Sequence, residues 1–138
     1  MKWYTVSPIP VKRRVRFTLK GKAYKDTKTK EDLQRVAESY QGEFYKDRPL
    51  ALVISVFQQL PESKSWMGIQ PFTLKPDIDN VIKAVMDGLN GVAFVDDKQV
   101  VFVSCKKNNR TNEIVGEYVK YALCPIEELR NIGQDGQS

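Results

Sequence analysis

Histidine is absent from this chain of 138 residues, and its absence excludes several common forms of catalysis. The chain lacks the usual general base near neutral pH and the usual nitrogen ligand for zinc. It also lacks every Ser-His-Asp or Cys-His arrangement for nucleophilic catalysis. Any catalysis must therefore use carboxylates, lysine or a metal ion.

Cysteine is scarce, since Cys105 and Cys124 are the only two, and they stand far apart in no metal-binding spacing. This excludes a disulfide framework and a cysteine-rich zinc site. A reducing cytosol would keep both as thiols. We expect both to be small residues of the core type.

Long apolar runs are also missing. No run approaches the roughly 18 residues of a transmembrane helix. The N-terminal MKWYTVSPIPVKRR lacks the continuous apolar core of a signal peptide. We therefore expect a cytoplasmic protein without a membrane partner.

The residues that are present fit an ordinary globular domain, with 41% hydrophobic and 28% charged residues. The length fits one domain over residues 1–138, with a disordered tail over about 131–138. The net charge of +5 and a pI near 9.2 favour a polyanionic partner. The charge alone is weak support, because many basic proteins bind no nucleic acid.

The positive charge is concentrated between Lys12 and Lys30, where nine lysines and arginines accompany a single acid, Asp26. The opening KWYTVSP predicts a first strand that ends at Pro8 and Pro10. We predict that the basic segment that follows is irregular.

The next segments alternate between helical and strand patterns. From Thr29 the spacing of Leu33, Val36, Tyr40 and Phe44 predicts an amphipathic helix, with Thr29 as its cap and Asp32 imitating a capping box. The run from Pro49 to Phe57 predicts a buried strand, and residues 58–76 predict a loop.

A second helix is predicted from Asp77 to Leu89, with Pro76 at its entry and Gly88 and Gly91 at its exit. Its apolar face should comprise Ile78, Ile82, Val85, Met86 and Leu89. The runs QVVFVSCKK and EIVGEYVKYAL then predict an antiparallel hairpin, and Pro125 introduces one short helical turn. The order βαβαββ predicts an α+β domain in which a mixed sheet packs against two main helices.

The segment KPDIDNVIKAVMDGLNGVAFVDDKQV, from Lys75 to Val100, carries the concentrated acids. If the chain returns past the helix, Asp97 approaches Asp77 and Asp79. Three carboxylates in one cluster repel each other unless a divalent cation neutralises them. Ligands that are all oxygen favour Mg²⁺ or Mn²⁺ over Zn²⁺, and such a metal could activate a water for attack on phosphorus.

Two residues further along this helix complete the pattern. Lys83, one turn beyond Asp79, faces the same cluster and could neutralise a phosphate oxygen or the leaving group. Asp87 is expected to form an i,i+4 salt bridge with Lys83.

The same residues have a purely structural explanation. Asp77 would cap the helix, Asp79 would complement the helix dipole and Lys83 would be a solvated pairing partner. Asp96 and Asp97 would form the turn before a strand. Spacing alone leaves both explanations open, since isolated D-x-D and D-D pairs are common.

The segment closely resembles the signature of the RusA family of Holliday-junction resolvases. The resemblance lies in the D-x-D-N start, the lysine four residues after the second Asp, the D-x-L-N helix end, and the D-D-x-Q-V before the strand. It implies a homodimeric α+β endonuclease that makes paired nicks in four-way DNA junctions during recombination and repair, using Mg²⁺ or Mn²⁺.

The resemblance also implies residue roles. Asp77, Asp79 and Asp97 match the three essential aspartates that hold the metal, and Lys83 matches the catalytic lysine. Asp96 is an alternate or neighbouring group, because the turn LNGVAFVDD is slightly shorter than in some members.

Branched DNA is the expected partner, and the candidate contacts cluster in the basic segment, where they would follow phosphates without reading bases. They are Lys12, Arg13, Arg14, Arg16 and Lys20. The alternative is a solvated charge run that only aids solubility. A non-catalytic DNA-binding accessory protein, and a nuclease that prefers flaps or forks, remain competing functions.

Overall fold

The computed structural model describes residues 2–12, 27–58, 77–108 and 117–129 in full, and the backbone alone of residues 16–17, 23–24, 59 and 109–110. The helices and strands in chain order are β1 (Tyr4–Val6), β2 (Arg16–Phe17), β3 (Ala23–Tyr24), α1 (Thr27–Ser39), β4 (Leu50–Gln59), α2 (Ile78–Leu89), β5 (Val100–Arg110) and β6 (Tyr118–Pro125). Short 3₁₀ turns cover Asp97–Gln99 and Ile126–Glu128.

A four-stranded mixed sheet in the order β1-β6-β4-β5 forms the centre of the fold. β4 pairs in parallel with β5 and antiparallel with β6, and β6 is also antiparallel to β1. The α+β class is therefore confirmed, and the main elements follow the predicted order βαβαββ. The predicted hairpin is wrong, because β4 lies between β5 and β6.

The apolar sequence of β4 explains this topology. Leu50, Leu52, Ile54 and Val56 are buried, and a strand with such a run is most stable between two neighbours. α2 then provides the crossover that a parallel β4-β5 pair requires. The polar residues between β5 and β6 predict a turn, but they do not determine which strands pair.

α1 differs from its prediction at both ends. The helix begins at Thr27 and ends at Ser39, so Thr29 is an internal, buried residue and the predicted cap is wrong. Asp32 is buried and accepts a hydrogen bond from the backbone N–H of Val11 at 3.0 Å. Phe44 lies beyond the helix and is 49% exposed.

α2 agrees closely with its predicted range, but its buried face is shifted. Its buried residues are Val81, Ala84, Val85, Gly88 and Leu89. Ile78 is exposed, against the prediction, while Ile82 and Met86 pack against the core edge.

The two glycines at the end of α2 have different roles. Gly88 lies inside the helix, where an added Cβ would stand 2.5 Å from Cβ of Val36, so α1 and α2 approach closely at this point. Gly91 has φ 83°, and it forms the turn after the helix.

Both helices pack on the same face of the sheet. Val36 of α1 and Val81 of α2 belong to one core cluster with Ile54 of β4 and Tyr121 of β6. Cys124 is buried and Cys105 half-buried, as expected for core-type residues, and burial raises the pKa of Cys105 to about 11. None of the helices in the described ranges is long and apolar enough to cross a membrane.

Three predictions concern segments that lie partly or wholly outside these ranges. The basic segment, predicted to be irregular, contains the two-residue strands β2 and β3, which pair antiparallel. The predicted loop begins after β4, which extends to Gln59, and its remainder lies outside the described residues, as does the tail over 131–138.

Candidate active site on α2 and the turn before β5

The first two candidate aspartates lie at the start of α2. Asp77 occupies the N-cap position with extended backbone, yet its side chain makes no capping hydrogen bond. Asp79 lies in the first turn, and both residues are exposed. Capping therefore does not account for the carboxylate of Asp77, which is accessible to a ligand.

Lys83 lies one turn beyond Asp79, with Nζ 3.9 Å from Oδ2 of Asp79. The two side chains are 60% and 69% exposed, so water screens the pair and it contributes little to stability. Since the contact is loose and solvated, the ammonium group is free to reach an incoming anion. The structure therefore confirms the prediction that Lys83 lies beside Asp79.

Asp87 has a different partner from the one predicted. Its Oδ2 lies 2.7 Å from Nζ of Lys12, so the expected salt bridge with Lys83 is wrong. Spacing along the helix favoured Lys83, but Lys12 arrives from a distant part of the chain. The backbone N–H of Lys12 also donates to the carbonyl of Asn80 at 3.1 Å.

These contacts hold the start of the basic segment against both helices. Val11 is bonded to Asp32 of α1, and Lys12 is bonded to Asn80 and Asp87 along α2. Of the other candidate DNA contacts, Arg16 has its backbone in β2, while Arg13, Arg14 and Lys20 lie outside the described residues. The described part of the basic segment therefore starts beside the acidic side of α2.

The third candidate aspartate lies in a tightly bonded turn. Asp96 caps the 3₁₀ turn by accepting from the N–H of Lys98, and Gln99 completes a capping box. Oε1 of Gln99 accepts from the N–H groups of Val95 and Asp96 at 2.9 and 3.2 Å. Its amide nitrogen donates to the carbonyls of Tyr45 and Arg48 at 3.1 and 3.3 Å.

Gln99 is 9% exposed and is a positioning residue that the sequence interpretation missed. Its four hydrogen bonds fix the turn that carries Asp96 and Asp97 to the loop before β4. The signal was present as the D-x-x-Q spacing from Asp96 to Gln99, which is the spacing of a capping box.

The carboxyl groups of Asp96 and Asp97 are neighbours in this turn. Hydrogen bonding between these two side chains lowers the pKa of Asp96 and raises that of Asp97. The negative charge of Asp87 also raises the pKa of Asp97, and Lys12 lowers it. Asp97 therefore lies near the Lys12–Asp87 pair.

The candidate charged residues thus follow one side of the molecule: Asp79, Lys83 and Asp87 lie along α2, and Asp97 lies near Asp87. Across residues 2–12, 27–58, 77–108 and 117–129, no three histidine, cysteine, aspartate or glutamate side chains form a group that could hold a metal ion. The structure brings Asp97 close to Asp96 and Asp87, and it does not bring Asp77, Asp79 and Asp97 together as one cluster.

Comparison with known proteins adds to this geometry. The family model described as Endodeoxyribonuclease RusA matches residues 6–116. A Lactococcus phage r1t protein named crossover junction endodeoxyribonuclease rusA is 34% identical over 73 residues, which cover 51% of this chain and 54% of that protein. The uncharacterized protein YqaN of Bacillus subtilis (strain 168) is 32% identical over 81 residues, which cover 52% and 57%.

The chain spans just over half the length of these two curated relatives. The family match is longer than either, and it runs from the end of β1 past the end of β5, so it includes α2, the 3₁₀ turn and the whole row of acids. The chain belongs to the RusA family of endodeoxyribonucleases.

Proposed function

We propose that this protein is a Mg²⁺-dependent, structure-selective endodeoxyribonuclease that resolves four-way DNA junctions by paired nicks in recombination and repair. Mn²⁺ would be able to replace Mg²⁺. The observation that supports the proposal best is the exposed row of carboxylates and lysine on α2, next to the bonded turn with Asp97, in a member of an endodeoxyribonuclease family.

The donor chemistry of the site fits a divalent cation. Asp77 and Asp79 are exposed, Asp77 makes no capping bond, and the neighbouring carboxyl of Asp96 raises the pKa of Asp97. Carboxylate oxygens are the ligands that Mg²⁺ and Mn²⁺ prefer. A divalent cation bound there would relieve the repulsion between the carboxylates. We assign Asp77, Asp79 and Asp97 as the ligands, which requires Asp97 to come closer to Asp77 and Asp79 than it lies in this structure.

The chain's own residues would do the remaining work. When bound, the metal supplies Lewis-acid stabilisation of the phosphate and a water of lowered pKa. Lys83 would neutralise a phosphate oxygen or the leaving group from its exposed position beside Asp79. Gln99 would hold Asp97 in place, and Lys12 would direct the basic segment toward the DNA beside α2.

The basic residues Lys12, Arg13, Arg14, Arg16 and Lys20 would bind DNA phosphates. Contacts of this kind make affinity depend on junction shape more than on sequence. A homodimer suits the substrate, because a four-way junction has approximate two-fold symmetry and two identical sites can address two equivalent strands.

The test is cleavage of a labelled synthetic four-way junction, beside duplex, flap and fork controls, with Mg²⁺ or EDTA. Wild type should nick the junction only with the metal. Asp77→Asn, Asp79→Asn and Asp97→Asn should each lower the single-turnover rate at least about 100-fold while binding persists. Glu31→Gln, which removes an exposed acid of α1, should cleave at the wild-type rate.

Other outcomes would revise or reject the proposal. Preferential cutting of flaps or forks would change the substrate assignment. A junction bound tightly but never cut with any divalent metal would indicate an accessory DNA-binding protein. If Asp87→Asn abolished cleavage and Asp79→Asn did not, the ligand set would have to move toward the acids nearest Asp97.

A further inference from the structure

A cavity opens on the face of the sheet opposite the two helices. Ile54 and Val56 of β4 belong to the core under the helices, so the alternating residues Ser55 and Phe57 project to the other side, which we call the outer face. The cavity on this outer face has a volume of about 290 Å³ and is lined by Trp3, Ser55, Phe57 and Lys120. It lies apart from the acids of α2.

Aromatic rings form the walls of the cavity. Phe57 stacks on Tyr118 of the neighbouring strand, with ring centroids 4.8 Å apart and an angle of 20° between the planes. Trp3 is 42% exposed on the edge strand side. The stack holds the Phe57 ring in place, and Trp3 offers a second ring surface that is open to solvent.

Positive charge borders the same cavity. In the strand register, Lys120 stands beside Thr5 on β1 and Ser55 on β4, and Ser55 is also paired with Lys106 on β5. The two lysines therefore flank Ser55 in one row, roughly 10 Å apart by the spacing of strands. None of the ion pairs within the described ranges includes either lysine.

We propose that this cavity binds one unpaired base of single-stranded DNA between Trp3 and Phe57, while Lys120 and Lys106 contact the flanking phosphates. Flat rings next to lysines suit the combination of a base with an anionic backbone. The volume is at the small end of ligand pockets, which matches one base rather than a larger ligand.

A second copy of the chain is a less suitable occupant of the outer face. Two such faces packed about a two-fold axis would bring lysines of like charge together. DNA instead supplies the opposite charge. The proposal rests on the proposed function in one respect. The bases of a four-way junction are paired, so this site would be filled only when base pairs open at the branch point of the bound junction.

The experiment measures binding without cleavage. Full-length protein carrying Asp79→Asn is titrated in EDTA against fluorescein-labelled oligodeoxythymidine of about twelve nucleotides, and anisotropy gives the Kd at several salt concentrations. Trp3→Leu and Phe57→Leu should each weaken binding about 5- to 140-fold, the range found for losing one base–aromatic stack. Thermal melting checks that the variants fold.

Lysine variants provide a second readout. Lys120→Gln should reduce the slope of log Kd against log salt by about 0.7, as expected when one single-strand phosphate contact is lost. Lys46→Gln removes one charge from the exposed loop before β4, outside the basic segment, and should leave both the Kd and the slope unchanged. The matched pair separates a local phosphate contact from a general charge effect.

Equal Kd values for wild type and all folded cavity variants would overturn the proposal. It would also be overturned if Phe57→Leu dissociated a dimer in sedimentation experiments without changing the Kd per site, since the face would then be a subunit interface. Junction cleavage is measured separately, with wild type and with cavity variants that keep Asp79. Cleavage that persists while the cavity variants bind normally rejects only the base site, and oligonucleotide binding without cleavage rejects only the nuclease.

Discussion

Removal of the buried carboxylate of Asp32 should be one of the most damaging single changes in the described part of the chain. Asp32 is 2% exposed; one oxygen accepts the backbone N–H of Val11, and the other lies 2.6 Å from the guanidinium of Arg35. Asp32→Ala leaves the N–H of Val11 and the Arg35 charge without this partner. Arg35 also donates to the carbonyl of Pro8.

The expected cost follows from these contacts. Removing one partner of a buried ion pair costs about 3–5 kcal/mol. The side chain of Arg35 is 28% exposed, so water can partly solvate its charge once Asp32 is gone. We therefore expect about 3 kcal/mol, or a decrease in Tm of roughly 10 °C for a domain of this size. Asp32→Asn keeps an acceptor for Val11 and should cost less, about 1–2 kcal/mol.

Urea denaturation followed by circular dichroism measures the loss of folding free energy in Asp32→Ala and in Asp32→Asn. Glu38→Ala is the control, because Glu38 is an exposed acid on the same helix whose hydrogen bond from Gln34 is exposed to solvent, and its removal should cost under about 0.5 kcal/mol. If Asp32→Ala unfolds within 1 kcal/mol of wild type, the bonds to Val11 and Arg35 do not anchor the start of the basic segment, and this reasoning is refuted.

Three further changes test other contacts. Gly88→Ala should destabilise the protein by about 1–3 kcal/mol in the same denaturation assay despite the better helix propensity of alanine, because the new Cβ would stand 2.5 Å from Val36; a more stable variant would show that the helices are not in close contact. Gln99→Ala should cost about 2–3 kcal/mol and lower junction cleavage more than junction binding, since the four hydrogen bonds that join the turn to the loop before β4 disappear; unchanged melting and cleavage would remove it as a positioning residue. Burial raises the pKa of both Cys105 and Cys124, so iodoacetamide at pH 8 should label the native protein far more slowly than the unfolded protein, and equal rates by mass spectrometry would contradict the packing.

Helices and strands with strong periodic patterns could be predicted from the sequence. α2 was found because its apolar spacing and flanking proline and glycine agree, and β4 because its apolar run is short and rich in β-branched residues. Strand neighbours could not be predicted in the same way. The polar residues after β5 have the composition of a turn, but pairing is decided by which strand is buried at the centre.

In the candidate site, too, contacts within one helix could be predicted and contacts between distant parts of the chain could not. Asp79 and Lys83 are four residues apart on one helix, so their proximity follows from helix geometry. The Lys12–Asp87 pair joins residues 75 positions apart, and only the folded chain shows it. The four bonds of Gln99 were partly visible in the spacing from Asp96, but its partners Tyr45 and Arg48 depend on where the loop before β4 lies.

The central claim, resolution of four-way junctions by paired nicks, is tested most directly with a supercoiled plasmid that extrudes a cruciform. Two nicks made within one binding event give linear DNA, whereas a single nick releases the supercoiling, lets the cruciform reabsorb and gives a nicked circle. The account predicts mainly linear product with Mg²⁺ and none with Asp79→Asn. Nicked circles alone, or equal cutting of a plasmid without the inverted repeat, would contradict it.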